Sequence, residues 1–301
     1  MSTNKAPFPM KTIFLFALTA ALSFTAHAQS KAKAKASTVH SPKTTSHKMT
    51  NTQKVVALLK SIETGDPAPI AYLNPTQYKQ HNLSAPDGLA GFGALLQALP
   101  KGSGKAHTVR AFQDGDFVVA HTEYNFFGPK IGFDIFRFEN GLIVEHWDNL
   151  QETPAHSNPS GHTMTDGPTD IKDLDKTAQN KQLVRSFLDD ILVNGRMDKL
   201  PGYFQGDSYV QHNPQIGDGL SGLGQALSAM AKQGITMKYD RVHHVLGSGN
   251  FVLAASEGSL GGKPTVFYDL FRIENGKIAE HWDTIETVPA QADWKNQNGK
   301  F

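Results

Sequence analysis

Apolar and polar residues follow two different periods in the first half of the chain. Helix-type spacing from Val55 to Ile62, with Gly65 as a plausible stop, and again at 89–99 predicts two helices. The segment from Asp66 to Asn82 between them predicts a short helix or turn. Alternation with a period of two then predicts four strands, at 105–113, 116–127, 131–139 and 142–151. Asn140-Gly141 favours a tight hairpin, because both central positions of a type I′ turn need a positive φ.

The same pattern returns about 130 residues later. Helices are predicted at 180–193 and 220–233, and strands at 235–247, 250–260, 264–274 and 277–288. Residues 133–148 and 268–283 align without a gap and are identical at 11 of 16 positions. This period is too long for a solenoid, so it indicates a duplicated domain. The predicted fold class is α+β, with two tandem units in which N-terminal helices pack on a curled antiparallel sheet.

The Asn140-Gly141 turn also predicts the register of the hairpin. Opposed residue numbers should sum to 281, which places Asp134 opposite Trp147 and Ile135 opposite His146. Neither face of this hairpin is polar throughout, although a lone antiparallel sheet usually shows one polar face to water. We therefore expect helices on one face and, on the other, either the second unit as an internal pseudo-dimer or a second chain as a homodimer.

The ends of the chain and the segment between the repeats differ in composition from the rest. Residues 1–28 resemble a secretory signal, with an apolar run of 12 residues at 13–24 and a small-x-small site at Ala26-His27-Ala28. A retained anchor is the alternative, but secretion, to the periplasm, is the prediction. The predicted boundaries are a signal peptide at 1–28, a disordered tether at 29–50, domains at 51–155 and 177–290, a linker at 156–176 and a tail at 291–301.

Charge and cysteine content exclude several classes of function. The chain has 29 basic and 28 acidic residues, so nothing in its composition favours a nucleic-acid partner. It has no cysteine, which excludes disulfides, thiolate metal sites and a cysteine nucleophile. After cleavage of the signal we expect no membrane association.

Three repeated motifs identify a family resemblance. Tyr78-Lys-Gln-His-Asn82 and Tyr209-Val-Gln-His-Asn213 are each followed by Asp-Gly-x-x-Gly, and each repeat closes on Glu-Asn-Gly-x-Ile-x-Glu-His-Trp-Asp. This combination resembles the SnoaL-like branch of the nuclear-transport-factor-2-like superfamily, over about 51–155 and 177–290. The resemblance implies a cone, in which a strongly bent sheet wraps around helices and leaves an apolar pocket. It also implies aldol-condensation, cyclase or isomerase chemistry without a cofactor, on a small hydrophobic carbonyl compound. Ketosteroid isomerases share this fold.

The two repeats depart from each other in places. His81-Asn82-Leu83 in the first corresponds to the more typical His212-Asn213-Pro214 in the second, and His121 corresponds to Ala255. We therefore do not expect both pockets to do the same work.

Acid/base chemistry next to a carbonyl needs a base, a donor for the enolate oxygen and a dry pocket. Asp148 and Asp283 are the candidate bases, and His146 and His281 the adjacent donors or proton shuttles, with His81 and His212 as second candidates. In the alternative, the His-Trp-Asp motif only closes the sheet: its His hydrogen-bonds a neighbouring strand or helix end, and its Asp bonds backbone or Arg137 and Arg272.

Further residues are candidates for binding a ligand: Tyr78, Tyr209, Trp147, Trp282, Asp134, Asp269, His121, Glu123 and Glu257. Asp134 and Asp269 are alternatively acceptors for the tryptophan indoles, and the two glutamates cross-strand partners of an Arg or His. No set of ligands has a recognisable metal spacing, so neither metal nor cofactor is predicted. The alternative function is a ligand-binding or assembly module without chemistry. A cavity lined by free His and Asp side chains would favour an enzyme.

Overall fold

A computed structural model of the protein describes residues 48–99 and 104–301. The predicted signal peptide and residues 29–47 of the predicted tether lie outside the described residues, as do Pro100 and Gly102, the predicted end of the second helix. No helix within the described ranges is long and apolar enough to cross a membrane.

The first repeat forms two helices and a five-stranded sheet. Its helices are α1 (Asn51–Thr64) and α2 (Gly88–Ala98). Its strands are β1 (Lys79–Gln80), β2 (Lys105–Asp114), β3 (Phe117–Asn125), β4 (Pro129–Glu139) and β5 (Leu142–Glu152). Thr50 and Gln53 form a capping box at the start of α1, and Gly65 ends it in the left-handed conformation. The sheet order is β1-β5-β4-β3-β2, with β1 parallel to β5 and the other pairs antiparallel.

The second repeat has the same order of elements. Helix α3 (Thr177–Phe187) continues as a π-helical turn at Leu188–Val193, and α4 is Gly219–Lys232. The strands are β6 (Val210–Gln211), β7 (Met237–Ser248), β8 (Phe251–Leu260), β9 (Lys263–Glu274) and β10 (Lys277–Thr287), in the order β6-β10-β9-β8-β7. The predicted α+β fold class is confirmed: two mixed units, each with helices packed on a five-stranded sheet. The domain boundaries stay predictions.

The predicted register of the first hairpin is wrong beyond the two pairs next to the turn. Glu139 faces Leu142 and Phe138 faces Ile143, but a β-bulge then leaves Val144 without a partner, so that Asp134 faces Asp148 rather than Trp147. The bulge recurs at Ala279 in the second repeat, where Asp269 faces Asp283. One extra residue on the second strand moves every later side chain to the other face relative to its partner strand. The bulge thereby gathers aspartate, histidine and aspartate on one face.

Both faces of each sheet are covered by apolar side chains. On one face of the first sheet, Val118, Phe136 and Ile143 pack with Val55 and Leu58 of α1. The opposite faces of the two sheets share one buried cluster. The first sheet contributes Phe133, Ile135 and Trp147 to it, among others, and the second contributes Leu253, Tyr268 and Trp282. Each fully buried large apolar side chain stabilises the fold by roughly 1.5–3 kcal/mol.

Two segments that follow the sheets each pack on the other repeat. Asn158, after the first sheet, donates to the carbonyl oxygens of Gln211 (2.6 Å) and Ile216 (3.0 Å). Asn296, after the second sheet, donates to those of Asn82 (2.7 Å) and Ala85 (3.0 Å). We call residues 158–168 the linker strap and residues 295–301 the tail strap.

Candidate active site

The three polar side chains gathered by the bulge lie together in the second repeat. His281 and Asp283 are two residues apart on β10 and so share a face, and Asp269 comes from the facing position on β9. All three are buried. A buried group of this kind must be paired by hydrogen bonds, so its partners fix the protonation states.

Gln211, on the short strand β6, determines which nitrogen of His281 carries a proton. Its Oε1 accepts hydrogen bonds from the backbone N–H groups of His212 and Asn213, both at 2.9 Å. The same oxygen lies 3.0 Å from Nδ1 of His281, which must therefore donate. His281 Nε2 lies 3.0 Å from Asp269 Oδ1, and one proton must lie between these two atoms.

The charge state of His281 follows from its surroundings. Burial on its own would lower the pKa of His281, but the hydrogen bond to Asp269 and the charges of Asp283 and Asp269 raise it above the ordinary value. Both ring nitrogens are engaged, so the imidazole does not offer a free donor to a ligand. The predicted role of direct donor does not fit the contacts of His281.

Asp283 differs from the other members of the group because one of its oxygens is uncommitted. Its Oδ2 accepts a hydrogen bond from Asn213 Nδ2 at 2.7 Å, whereas Oδ1 has no hydrogen-bond partner among the described residues. Burial raises the pKa of Asp283 to about 6, and the positive charge of His281 opposes that rise. A carboxyl with this pKa is suited to take up and return a proton near neutral pH.

Tyr209 supplies a hydroxyl beside this carboxyl. Its oxygen accepts a hydrogen bond from Gln211 Nε2 at 3.0 Å, and its own proton has no acceptor among the described residues. Burial and the nearby charges of Asp283 and Asp269 raise the pKa of Tyr209 well above its ordinary value. The phenol therefore stays protonated and can donate to a ligand oxygen.

These side chains line a cavity of about 600 Å³. Tyr209, Asp269, His281 and Asp283 form part of its wall, and the rest of the wall is largely apolar. The apolar wall includes Leu223, Leu227, Met230, Met237 and Leu260, from α4, β7 and β8. A volume of this size with a few convergent polar groups is typical of a small-molecule site.

The first repeat contains the same network with one difference. His146 Nε2 lies 3.1 Å from Asp134 Oδ1, its Nδ1 lies 3.0 Å from Gln80 Oε1, and Asn82 donates to Asp148 Oδ2 at 2.6 Å. Here, however, Lys300 Nζ lies 3.3 Å from the other oxygen of Asp148.

A tyrosine binds Asp134 in the first repeat and Asp269 in the second, but the two tyrosines lie on different strands. Tyr124, on β3, donates to Asp134 at 2.6 Å, and its cross-strand neighbour on β2 is Ala106. In the second repeat Tyr239, on β7, lies 3.3 Å from both oxygens of Asp269, and its neighbour on β8 is Gly258. Sequence reasoning missed both tyrosines, because they do not occupy equivalent positions in the repeats.

The second pair of predicted catalytic histidines lies on the other face of the sheet. His81 stacks on Trp147 at 4.9 Å and His212 on Trp282 at 4.5 Å. Their Nε2 atoms lie 3.0 Å from Glu145 and 2.8 Å from Glu280. These histidines and tryptophans belong to the packing between the sheets and not to the cavity.

Two other partners expected for the aspartates, a tryptophan indole and an arginine, bind elsewhere or not at all among the described residues. The indole of Trp282 donates to the backbone oxygen of Asp166 at 3.0 Å, not to Asp269. Trp147 Nε1 has no partner within the described residues. Arg137 and Arg272 bind Glu145 and Glu280, at 2.8 and 2.6 Å, and not the aspartates of the His-Trp-Asp motif.

The remaining predicted ligand residues have partners elsewhere. Glu123 accepts from Thr165 Oγ1 at 2.5 Å, and Glu257 lies 3.2 Å from His243 Nε2. His121 is buried against Phe133 with Nδ1 3.2 Å from Arg110, and burial lowers its pKa well below the ordinary value. Tyr78 accepts from Gln80 Nε2 at 3.3 Å, as Tyr209 does from its own glutamine.

The fold brings together side chains of the kinds that bind metal ions, although their spacing in the sequence did not predict it. Among the described residues, three groups have possible ligand atoms within 4.8 Å of one another: Asp134/His146/Asp148, Asp269/His281/Asp283 and His162/Asp166/His212. In the first two groups both histidine nitrogens face Gln and Asp oxygens, so neither has a lone pair directed to an ion.

The second repeat thus combines a five-stranded sheet and helices with a largely apolar cavity. One carboxyl that lines the cavity, that of Asp283, has an oxygen without a hydrogen-bond partner among the described residues. Residues 184–281 match the family model of the SnoaL-like domain, so the second repeat contains a SnoaL-like domain. The resemblance read from the motifs is thus confirmed over this range. No curated protein matches the chain.

Several solved structures are similar to one part of the chain. TsrD from Streptomyces laurentii is 22% identical, with 33% of this chain and 88% of that chain covered and a TM-score of 0.28. An LEH-like epoxide hydrolase from M. tuberculosis is 23% identical, with 37% and 85% covered and a TM-score of 0.29. A nuclear-transport-factor-2-like protein from Burkholderia xenovorans LB400 is 18% identical, with 37% and 92% covered and a TM-score of 0.30.

Proposed function

We propose that the second repeat is an acid/base site that acts, without a cofactor, on a small hydrophobic carbonyl compound. The reaction would be of the aldol-condensation, cyclase or isomerase type. The single observation that supports this most is the state of Asp283, which lines the largely apolar cavity. Its carboxyl is buried, has a pKa of about 6, and has no hydrogen-bond partner for Oδ1 among the described residues.

In this proposal Asp283 removes a proton from the carbon next to the carbonyl. The electrons of that C–H bond move to the carbonyl oxygen, and the resulting enolate oxygen accepts a hydrogen bond from Tyr209. Protonated Asp283 then returns the proton to carbon or to the product oxygen. Asn213 holds the carboxyl, and the charge of His281 favours the anionic form of Asp283 while that of Asp269 opposes it.

The experiment follows the exchange of protons next to a carbonyl for deuterium in D₂O, over a panel of apolar ketones, by NMR. Asp283→Asn keeps the size of the side chain and the bond from Asn213. We expect it to slow the exchange by about 10²–10⁴-fold. Asp148→Asn is the matched control and should leave the exchange unchanged. Unchanged exchange in Asp283→Asn would remove this residue from the chemistry.

The second candidate is a binding module that holds an apolar molecule and does no chemistry. It is favoured by one observation, that both ring nitrogens of His281 are occupied by protein partners. Binding of the same ketones without any protein-dependent exchange would support it over the enzyme.

Location and assembly are also proposals. The basic start, apolar run and small-x-small site of residues 1–28 support secretion to the periplasm. The apolar cluster shared by the two sheets supports pairing of the repeats within one chain, so that no second copy is needed to cover those faces. The only partner we propose is a small hydrophobic molecule.

A further inference from the structure

The two straps carry a repeated motif of their own. Residues 158–162 read Asn-Pro-Ser-Gly-His and residues 296–300 read Asn-Gln-Asn-Gly-Lys. In each, the asparagine Oδ1 accepts from the backbone N–H two residues later, at 3.0 Å. Gly161 and Gly299 both have a positive φ, of 91° and 77°. The duplication therefore extends into the straps, and His162 is the counterpart of Lys300.

These two counterparts have different contacts. Lys300 is 8% exposed, and its Nζ lies 3.3 Å from Asp148 Oδ1 and 2.8 Å from Glu286 Oε2. His162 is partly exposed, and its Nε2 lies 3.2 Å from Asp218 Oδ2. The tail strap thus brings a cation to the carboxyl of the first repeat, whereas the linker strap leaves that of the second repeat without one.

The tail strap is held firmly enough to keep Lys300 in place. Asn298 Nδ2 donates to the Gln80 carbonyl oxygen at 2.8 Å, and His81 Nδ1 lies 3.0 Å from that of Gly299. Lys295 N–H donates to the Leu83 carbonyl oxygen at 2.8 Å. A buried ammonium between two carboxyls is strongly bound, because removing either partner leaves an unpaired charge in the interior.

We propose that Lys300 holds Asp148 in a permanent ion pair and so removes the first repeat from the acid/base chemistry, leaving Asp283 as the working carboxyl. This inference rests on the proposed function of the second repeat. It explains how two repeats with the same Gln-His-Asp-Tyr network differ: the first contributes a packed partner sheet, and the second contributes the site.

The first test is a titration of the Lys300 ammonium in the full chain, by ¹⁵N NMR with the signal assigned through Lys300→Met. We expect Asp148→Asn to lower the pKa of Lys300, because the charge of Asp148 raises it, and Asp283→Asn to leave it unchanged. A pKa of Lys300 that is the same in Asp148→Asn as in the parent would overturn the proposal.

The second test removes the cation from a chain in which the second repeat is inactive. Lys300→Met added to Asp283→Asn should speed ketone exchange by about tenfold or more, because Asp148 is then no longer paired with an ammonium. Adding Glu286→Gln removes the other carboxyl that binds Lys300, and this triple variant is used if the double variant does not fold. Exchange as slow as in Asp283→Asn alone would show that Lys300 is not what keeps Asp148 from the chemistry.

The matched control is His162→Ala, at the equivalent strap position, which should not restore ketone exchange when it is added to Asp283→Asn. Restored exchange in this control would mean that any strap change activates the first repeat, and would overturn the assignment to Lys300. Failure of the proposed function shows separately, as ketone exchange that is unaffected by Asp283→Asn.

Discussion

Asp283 lies directly opposite Asp269 across the β9–β10 hairpin, yet the two carboxyls have different partners. Asp269 binds His281 at 3.0 Å and the hydroxyl of Tyr239 at 3.3 Å, whereas among the described residues Asp283 binds Asn213 alone. Both oxygens of Asp269 are therefore paired, whereas Oδ1 of Asp283 has no hydrogen-bond partner within that part of the chain. Pairs of titratable groups with such different surroundings are typical of acid/base sites.

The first prediction concerns the dependence of exchange on pH. If Asp283 is the base, only its ionised form can take a proton. The rate should rise as pH increases through about 6 and then level off. Ketone exchange measured from pH 4 to 9 checks this. A rate that is flat across this range would contradict the assignment.

The second prediction concerns stability and needs no substrate. The pKa of Asp283 is about 6 in the folded state, above its ordinary value of 3.8, so the folded state binds the proton more tightly than the unfolded state does. The resulting stabilisation is complete below pH 4 and is lost as pH rises through about 6. Asp283→Asn should therefore be more stable than the parent above pH 7, by up to about 3 kcal/mol.

Thermal unfolding of the two proteins from pH 4 to 8 measures this difference. The two curves should converge at the acidic end and separate towards neutral pH. A difference that does not change with pH would mean that Asp283 has an ordinary pKa in the fold. Asp148→Asn should not reproduce the pattern, because Lys300 lies beside Asp148.

The third prediction concerns Gly258, which faces Tyr239 across strands β7 and β8. A Cβ on Gly258 would lie 1.9 Å from the backbone oxygen of Lys238, on the neighbouring strand β7. Gly258→Ala should therefore destabilise the fold by about 1–3 kcal/mol, as overpacking does. Gly224→Ala is the control, because this helical glycine has nothing within 4 Å of the added atom and should gain up to about 1 kcal/mol. Equal stability of the two variants, measured by denaturant unfolding, would contradict the prediction.

Apart from the two-residue strands β1 and β6, the order of helices and strands was predictable, as were the duplication and the turn at Asn140-Gly141, since they depend on local period and turn chemistry. The shared face of His281 and Asp283 was predictable too, because residues two apart on a strand point the same way. The repeated Gln-His-Asn motif was recognised, but the roles of Gln211 and Asn213 were not. Its recurrence in both repeats at the same offset was the signal that could have found them.

Two other features were not predictable from the sequence. The bulge at Ala279 leaves no mark on a period-two pattern, and it moves Asp269 from opposite Trp282 to opposite Asp283. Lys300 lies 152 residues from Asp148 in the chain, and only the path of the tail strap brings them together. Such contacts depend on tertiary structure rather than on local preference.

The last prediction tests the charge of His281. Gln211 fixes the proton on Nδ1, so the second proton, on Nε2, depends on Asp269. In Asp269→Asn the carboxylate is gone, and the amide can donate to Nε2 instead. We expect the pKa of His281 to fall, because its hydrogen bond to Asp269 and the charge of Asp269 raise it, and a pH titration of the imidazole by ¹⁵N NMR measures this. Asp134→Asn should leave the pKa of His281 unchanged, because the two networks lie in different repeats. A pKa of His281 that does not fall in Asp269→Asn would show that Asp283 is what raises it, and the division of roles between the two carboxyls would then have to be reversed.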